Sequence, residues 1–145
     1  MTPTCYQQLY GIPAQPATQK LNFLAVDGMN LQYAQLADLH TFLEAQRPDM
    51  PANTGFSLQT VDGGMNPQGS NDAGILANLN IQYSVGIATA VPVIFISVGE
   101  ENHDGALFGS LDLLNFVLDL PSSRPQVLSI SYQDSEDNLS ANLIE

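Results

Sequence analysis

Val93-Ile-Phe-Ile-Ser-Val98, set off by Pro92 and closed by Gly99, is apolar at every position but one. A strand with one wet face alternates polar and apolar residues. A run without that alternation is buried on both faces, as in parallel sheets covered by helices on each side. Upstream, Leu76, Leu79, Tyr83 and Ile87 recur at helical spacing within 73–89. Before them, Phe56-Ser-Leu-Gln-Thr-Val61 alternates with period two and ends at Asp62-Gly63-Gly64, a strand with its turn. Farther back, residues 21–26 form a short apolar run closed by Asp27-Gly28. Tyr33, Leu36, Leu39, Phe42 and Leu43 then mark a helix that Arg47-Pro48 stops. Downstream, a helix over about 107–120 ends before Pro121, and residues 126–132 supply a fourth strand. The order βαβαβαβ predicts an α/β fold: three layers, a mostly parallel sheet of about four strands, helices on both faces. Residues 1–20, punctuated by Pro3, Pro13 and Pro16, read as an irregular arm on a single domain spanning 1–145.

Composition narrows the function classes. The chain has 145 residues, with 3 Lys plus Arg against 15 Asp plus Glu, a formal charge of -12. Such a surface repels phosphate backbones and anionic headgroups, so neither nucleic acid nor membrane is an expected partner. The longest apolar stretch, 85–98, is too short to span a bilayer and contains Pro92. Cys5 is the single cysteine, so there is no internal disulfide and no cysteine-rich zinc site. Met1 is followed by Thr-Pro-Thr rather than a basic and then apolar segment, and no signal peptide is read here.

Few motifs carry chemistry. Gly63-Gly64 and Gly69 do not match a dinucleotide fingerprint. Glu100, Glu101, His103 and Asp104 stand together in a loop after the third strand, where oxygen ligands could hold a hard cation. A solvated acidic loop is the reading adopted, with neither metal nor cofactor expected. Asn138-Leu139-Ser140 is a glycosylation sequon, meaningful in a secreted protein.

One set of segments is more specific. Residues 2–13 (Thr-Pro-Thr-Cys-Tyr-Gln-Gln-Leu-Tyr-Gly-Ile-Pro), Gln59-Thr-Val-Asp-Gly-Gly64, Ala77-Asn-Leu-Asn-Ile-Gln-Tyr83 and Pro92-Val-Ile-Phe-Ile-Ser-Val-Gly99 resemble the sedolisins in order and spacing, in particular the fungal tripeptidyl-peptidase type. Ser131-Tyr132 with Glu136 is similar to a fifth family block, with Gln133 in place of a glycine. The resemblance implies the first part of a subtilisin-like sheet, strand order 2-3-1-4, and a chain truncated relative to the family's catalytic domain. It also implies a catalytic glutamate and aspartate at i and i+4 on one helix, and here those positions are Leu76 and Asn80. Leucine accepts no proton, and an amide carries no charge to tune a base. The family's serine block has no counterpart in this sequence, and loss of a triad-type assembly lowers the rate about a millionfold. Gln32 likewise stands where the family tends to carry a glutamate.

The expectation is a catalytically inactive, sedolisin-like binding protein, secreted and fungal, with a defence, lectin-like or immunomodulatory role. Ser131, Tyr132, Glu100, Glu101, His103 and Asp104 are the candidate ligand contacts, for a peptide, glycan or protein. The alternatives are an enzyme of different chemistry built on the acidic loop, and an inactive piece of a tripeptidyl-peptidase. The strand at 127–132 becomes a sheet edge without lysine, so a homodimer through it or the faces beside it is expected.

Overall fold

All six residues of the strand at Val93–Val98 are buried, as a centrally placed parallel strand requires. In a computed structural model, residues 1–102, 109–121, 124–133 and 135 are described. Their elements run α1 (Pro3–Tyr10), β1 (Leu24–Gly28), α2 (Leu36–Gln46), β2 (Ser57–Val61), α3 (Ile75–Ile87), β3 (Val93–Val98), α4 (Ser110–Asp119) and β4 (Val127–Ser129). The four strands pair in parallel in the order β2-β3-β1-β4, the predicted arrangement, with Val26 opposite Phe95 and Leu24 opposite Val127.

Alternation along the strands divides the core into two layers. Val26, Val93 and Phe95 pack against Leu39 and Leu43 of α2 and Ala77, Ile81 and Val85 of α3. Ala25, Val61, Ile94, Ile96 and Val98 face Leu113 and Val117 of α4. The result is the expected three-layer α/β fold.

In a chain this poor in charge, side-chain amides organise the loops. Neither α2 nor α3 has a side-chain hydrogen bond from its N-cap residue. Instead the Gln35 N–H donates to Asn78 Oδ1 at 2.8 Å, the Leu36 N–H to Gln68 Oε1 at 2.9 Å, and the Leu76 N–H to Gln32 Oε1 at 3.1 Å. These amides satisfy donors that a helix start leaves over.

Three expectations need correction. The arm at 1–20 contains a helix: Thr2 accepts from the Cys5 N–H at 3.2 Å, Pro3 occupies the first turn, and Gly11 closes the end at φ 64°. A proline read as a breaker is thus a helix starter. β1 runs to Gly28, through the Asp27-Gly28 pair read as its terminator. β4 covers three residues rather than 126–132, since only Val127 to Ser129 find partners on β1.

The amino-terminal region is tied to the connection leaving α3. Gln7 Nε2 donates to the Ile87 carbonyl at 2.7 Å and to Thr89 Oγ1 at 3.2 Å, and the Ala17 N–H donates to the Thr89 carbonyl at 2.9 Å. Arg47, buried just past the end of α2, donates to the Gly86 carbonyl, to Thr89 Oγ1 at 3.1 Å, and through two nitrogens to Asp49 at 2.9 and 2.7 Å.

Candidate functional site

Ligand sites in open parallel sheets lie outside the carboxyl ends of the strands, where successive connections part to opposite faces. Here the parting falls between β1 and β3: β1 leads to α2 on one face, and β3 leads to α4 on the other.

At the end of β1, Asp27 is wholly buried. The Ser131 N–H donates to its Oδ1 at 3.4 Å, while Oδ2 is buried without a partner. Burial pushes its pKa up to about 6, opposed by the Ser131 hydrogen bond. Beside it, half-buried Tyr132 packs against the α4-side core, with its hydroxyl inaccessible and outside hydrogen-bond geometry. Burial raises the Tyr132 pKa; the Met29 backbone opposes this and the Asp27 charge adds to it.

A cavity of about 190 Å³ opens beyond β2 and β3, walled by Leu31, Tyr33 and Met65 and by the acidic residues Asp62, Glu100 and Glu101. Its floor is a tight turn. Asp62 and Gly63 adopt φ 52° and 74°, and the Val61 carbonyl accepts from the N–H groups of both Gly64 and Gly99 at 2.9 Å. A Cβ on Gly64 would lie 2.0 Å from the Ser97 carbonyl oxygen, so the approach of turn to strand demands glycine there. Rich in acceptors and partly apolar, this cavity suits a cationic group on an apolar stem. Among the described residues no three His, Cys, Asp or Glu side chains converge as a metal site.

The candidate residues divide between two places. Glu100 and Glu101 line the cavity. Exposed Ser131 and half-buried Tyr132 stand instead beside Asp27. His103, Asp104 and Asn138 lie outside the described residues. Leu76 and Asn80 sit one turn apart on α3, both half-buried. Leu76 is not the core leucine its spacing suggests, because Ala77, Ile81 and Val85 fill that role. The Asn80 Nδ2 is buried without a hydrogen-bond partner.

Sequence reasoning missed Asp27, whose Asp-Gly context signals a turn. The available clue was that it continues an apolar run. Two larger cavities, of about 340 and 280 Å³, adjoin the end of α2 and the connection after α3. Arg47 lines the first, with its guanidinium already committed to Asp49, Gly86 and Thr89.

No family model matches the chain. It is 31% identical over 155 residues to "Probable tripeptidyl-peptidase SED4" of Trichophyton verrucosum, an alignment taking in 96% of this chain and 25% of that protein. It is 31% identical over 153 residues to "Probable tripeptidyl-peptidase SED3" of Arthroderma benhamiae, with the same coverage of each. With "Tripeptidyl-peptidase SED2" of Arthroderma otae it shares 31% identity over 158 residues, covering 98% of this chain and 26% of that one. The chain thus spans about a quarter of the length of the curated relatives it matches. No helix among the described residues is long and apolar enough to cross a membrane.

Proposed function

The chain is a partial, sedolisin-like relative of fungal tripeptidyl-peptidases, and on that premise we propose that it is a catalytically inactive binding protein. The observation that carries this reading is the pair Leu76 and Asn80, one turn apart on α3 where the resemblance puts a carboxylate base and its orienting partner. A hydrocarbon and a neutral amide can neither take up a proton nor sustain the charge that activates a nucleophile. Its role would be recognition of a peptide, glycan or protein at the strand-end rim, as a secreted fungal protein in defence, lectin-like or immunomodulatory action. Incubation with free-amino-terminus oligopeptides across acidic and neutral pH should give no hydrolysis above buffer. Turnover together with stoichiometric labelling by a serine-directed reagent would overturn the reading. Peptide and glycan arrays should return a ligand.

A second reading follows from the cavity wall, where Glu100 and Glu101 stand beside Tyr33: a different enzymatic activity using those carboxylates. Glu100→Ala with Glu101→Ala separates the two, since an enzyme loses a turnover that the unaltered chain shows, while a binder has no turnover to lose.

The partner assigned to the β4 edge is a second copy of the chain. Residues 126–133 carry no charged side chain in a chain of net charge -12, which makes this edge an approach free of like-charge repulsion. Val127 and Ile130 are 57% and 40% exposed there. Sedimentation at micromolar concentration should show twice 15.6 kDa, and Val127→Lys should return the single-chain mass. A single-chain mass for the unaltered protein refutes the assignment.

A further inference from the structure

We propose that Asp27 is an acid-operated latch: its neutral carboxyl group holds residues 130–133 against the end of β1, and its ionisation lets that segment lift. After Ser129 the chain leaves the sheet, and Ile130, Ser131 and Gln133 are exposed. Two contacts hold it down: the Ser131 N–H on Asp27 Oδ1 at 3.4 Å, and the Tyr132 side chain packed into the α4-side core. The first rests on the wholly buried Asp27, whose second oxygen has no hydrogen-bond partner.

An ionised carboxylate offers about four acceptor sites, and this one finds a single long hydrogen bond. No described cation acts on it. From the segment after β4 the titratable neighbour is Tyr132, whose hydroxyl is neutral at physiological pH. Met29 follows on β1, and Ser110 of α4 donates to Met29 Sδ at 3.7 Å; neither carries charge. A buried charge this poorly matched is relieved most cheaply by local opening that admits water, not by unfolding the sheet. Protonation removes that charge, which the Tyr132 hydroxyl also feels.

The magnitude follows from linkage. Burial lifts the Asp27 pKa from 3.8 to about 6, so between about pH 4 and about pH 8 the opening equilibrium should rise about a hundredfold. The latch is independent of whether the rim binds or cleaves anything.

The test is native-state amide exchange on the full chain, with protection of Ser131 and Tyr132 referred to β3 amides, alongside carbon NMR of the Asp27 carboxyl. Protection at 131–132 should lie below that at β3 at every pH and should fall about a hundredfold from about pH 4 upward, levelling off near pH 6 where the carboxyl titrates. In Asp27→Asn it should stay constant. A carboxyl titrating near 4, protection at 131–132 equal to that at β3, or an unchanged pH dependence in D27N would each overturn the proposal. Should D27N not fold, the wild type decides alone, and a levelling-off of protection that differs from the carboxyl titration by about one pH unit or more counts against it.

Discussion

Gly28 and Phe95 form a pair whose coupling can be worked out from their geometry. An added Cβ on Gly28 would meet Phe95 Cζ at 2.2 Å and Cε2 at 2.7 Å, and the Gln32 carbonyl oxygen at 2.9 Å. Phe95 is wholly buried in the layer under α2 and α3, and its ring stands edge-on to Phe56 at 5.8 Å. The ring therefore has no free volume into which to retreat. Gly28→Ala should destabilise by about 2 kcal/mol, the usual range for overpacking a rigid core. Phe95→Leu alone should lose about 1.5 kcal/mol, because leucine fills most but not all of the site. Leucine also removes the two ring atoms that the new methyl strikes. The double variant should then lose about 2 kcal/mol rather than the additive 3.5 or so, a coupling of about 1.5 kcal/mol. Full rescue is not expected, since the Gln32 carbonyl is backbone and stays in place. Urea unfolding of all four proteins at one pH gives the cycle, with each kcal/mol moving the midpoint by about 0.5 M. Additivity within about 0.3 kcal/mol would show that the methyl is accommodated elsewhere and that the close approach does not fix glycine at this position.

Global stability should carry the Asp27 signature as well. Its folded pKa lies above 3.8, so its support for folding is complete below that value and is withdrawn as pH rises through about 6, a loss of up to about 3 kcal/mol. Urea midpoints should be higher at pH 5 than at pH 8, and Asp27→Asn should flatten the difference; greater stability at pH 8 contradicts this. Asp49 acts in the opposite sense and lower down, since its hydrogen bond from Arg47 lowers its pKa and that support fails only in stronger acid. Arg47→Met should cost about 2 kcal/mol in thermal or chemical unfolding, because it leaves the Gly86 carbonyl without its donor, and a change under about 0.5 kcal/mol would show that water replaces the guanidinium freely. Thr2→Val should raise the Cys5 thiol pKa, which the Thr2 hydroxyl now lowers, moving the pH profile of thiol alkylation upward; an unmoved profile refutes the contact.

Much of the fold could be read from residue patterns because its central strands bury both faces. The run at 93–98, apolar but for Ser97, left no solvent side, and Leu39 and Leu43 fell at helical spacing on the layer that covers it; on α3 the spacing picked out Leu76, Leu79, Tyr83 and Ile87, whereas the buried stripe is Ala77, Ile81 and Val85. α1 escaped because Pro3 is a breaker inside a helix and a starter at its beginning, a distinction made by the Thr2 cap rather than by composition. β4 was overextended because Ile130 and Tyr132 look strand-like, yet pairing depends on where β1 offers partners. At the rim, the acidic loop was legible as a charge run, and Glu100 and Glu101 do line a cavity. Asp27 was not, because the segment that follows β4 and meets its carboxyl, through Ser131, is about a hundred residues distant. Leu76 and Asn80 were identified through resemblance alone, since nothing in helical periodicity marks them as the place of missing chemistry.

The carbonyls of Gly86, Ile87 and Thr89 receive donors from Arg47, Gln7 and Ala17, so one short connection gathers chain from three otherwise separate regions. Trimming the first seventeen residues for crystallisation would strip two of those carbonyls of their protein donors and open them to water. A protease nick ahead of β1 should be felt at the base of α2.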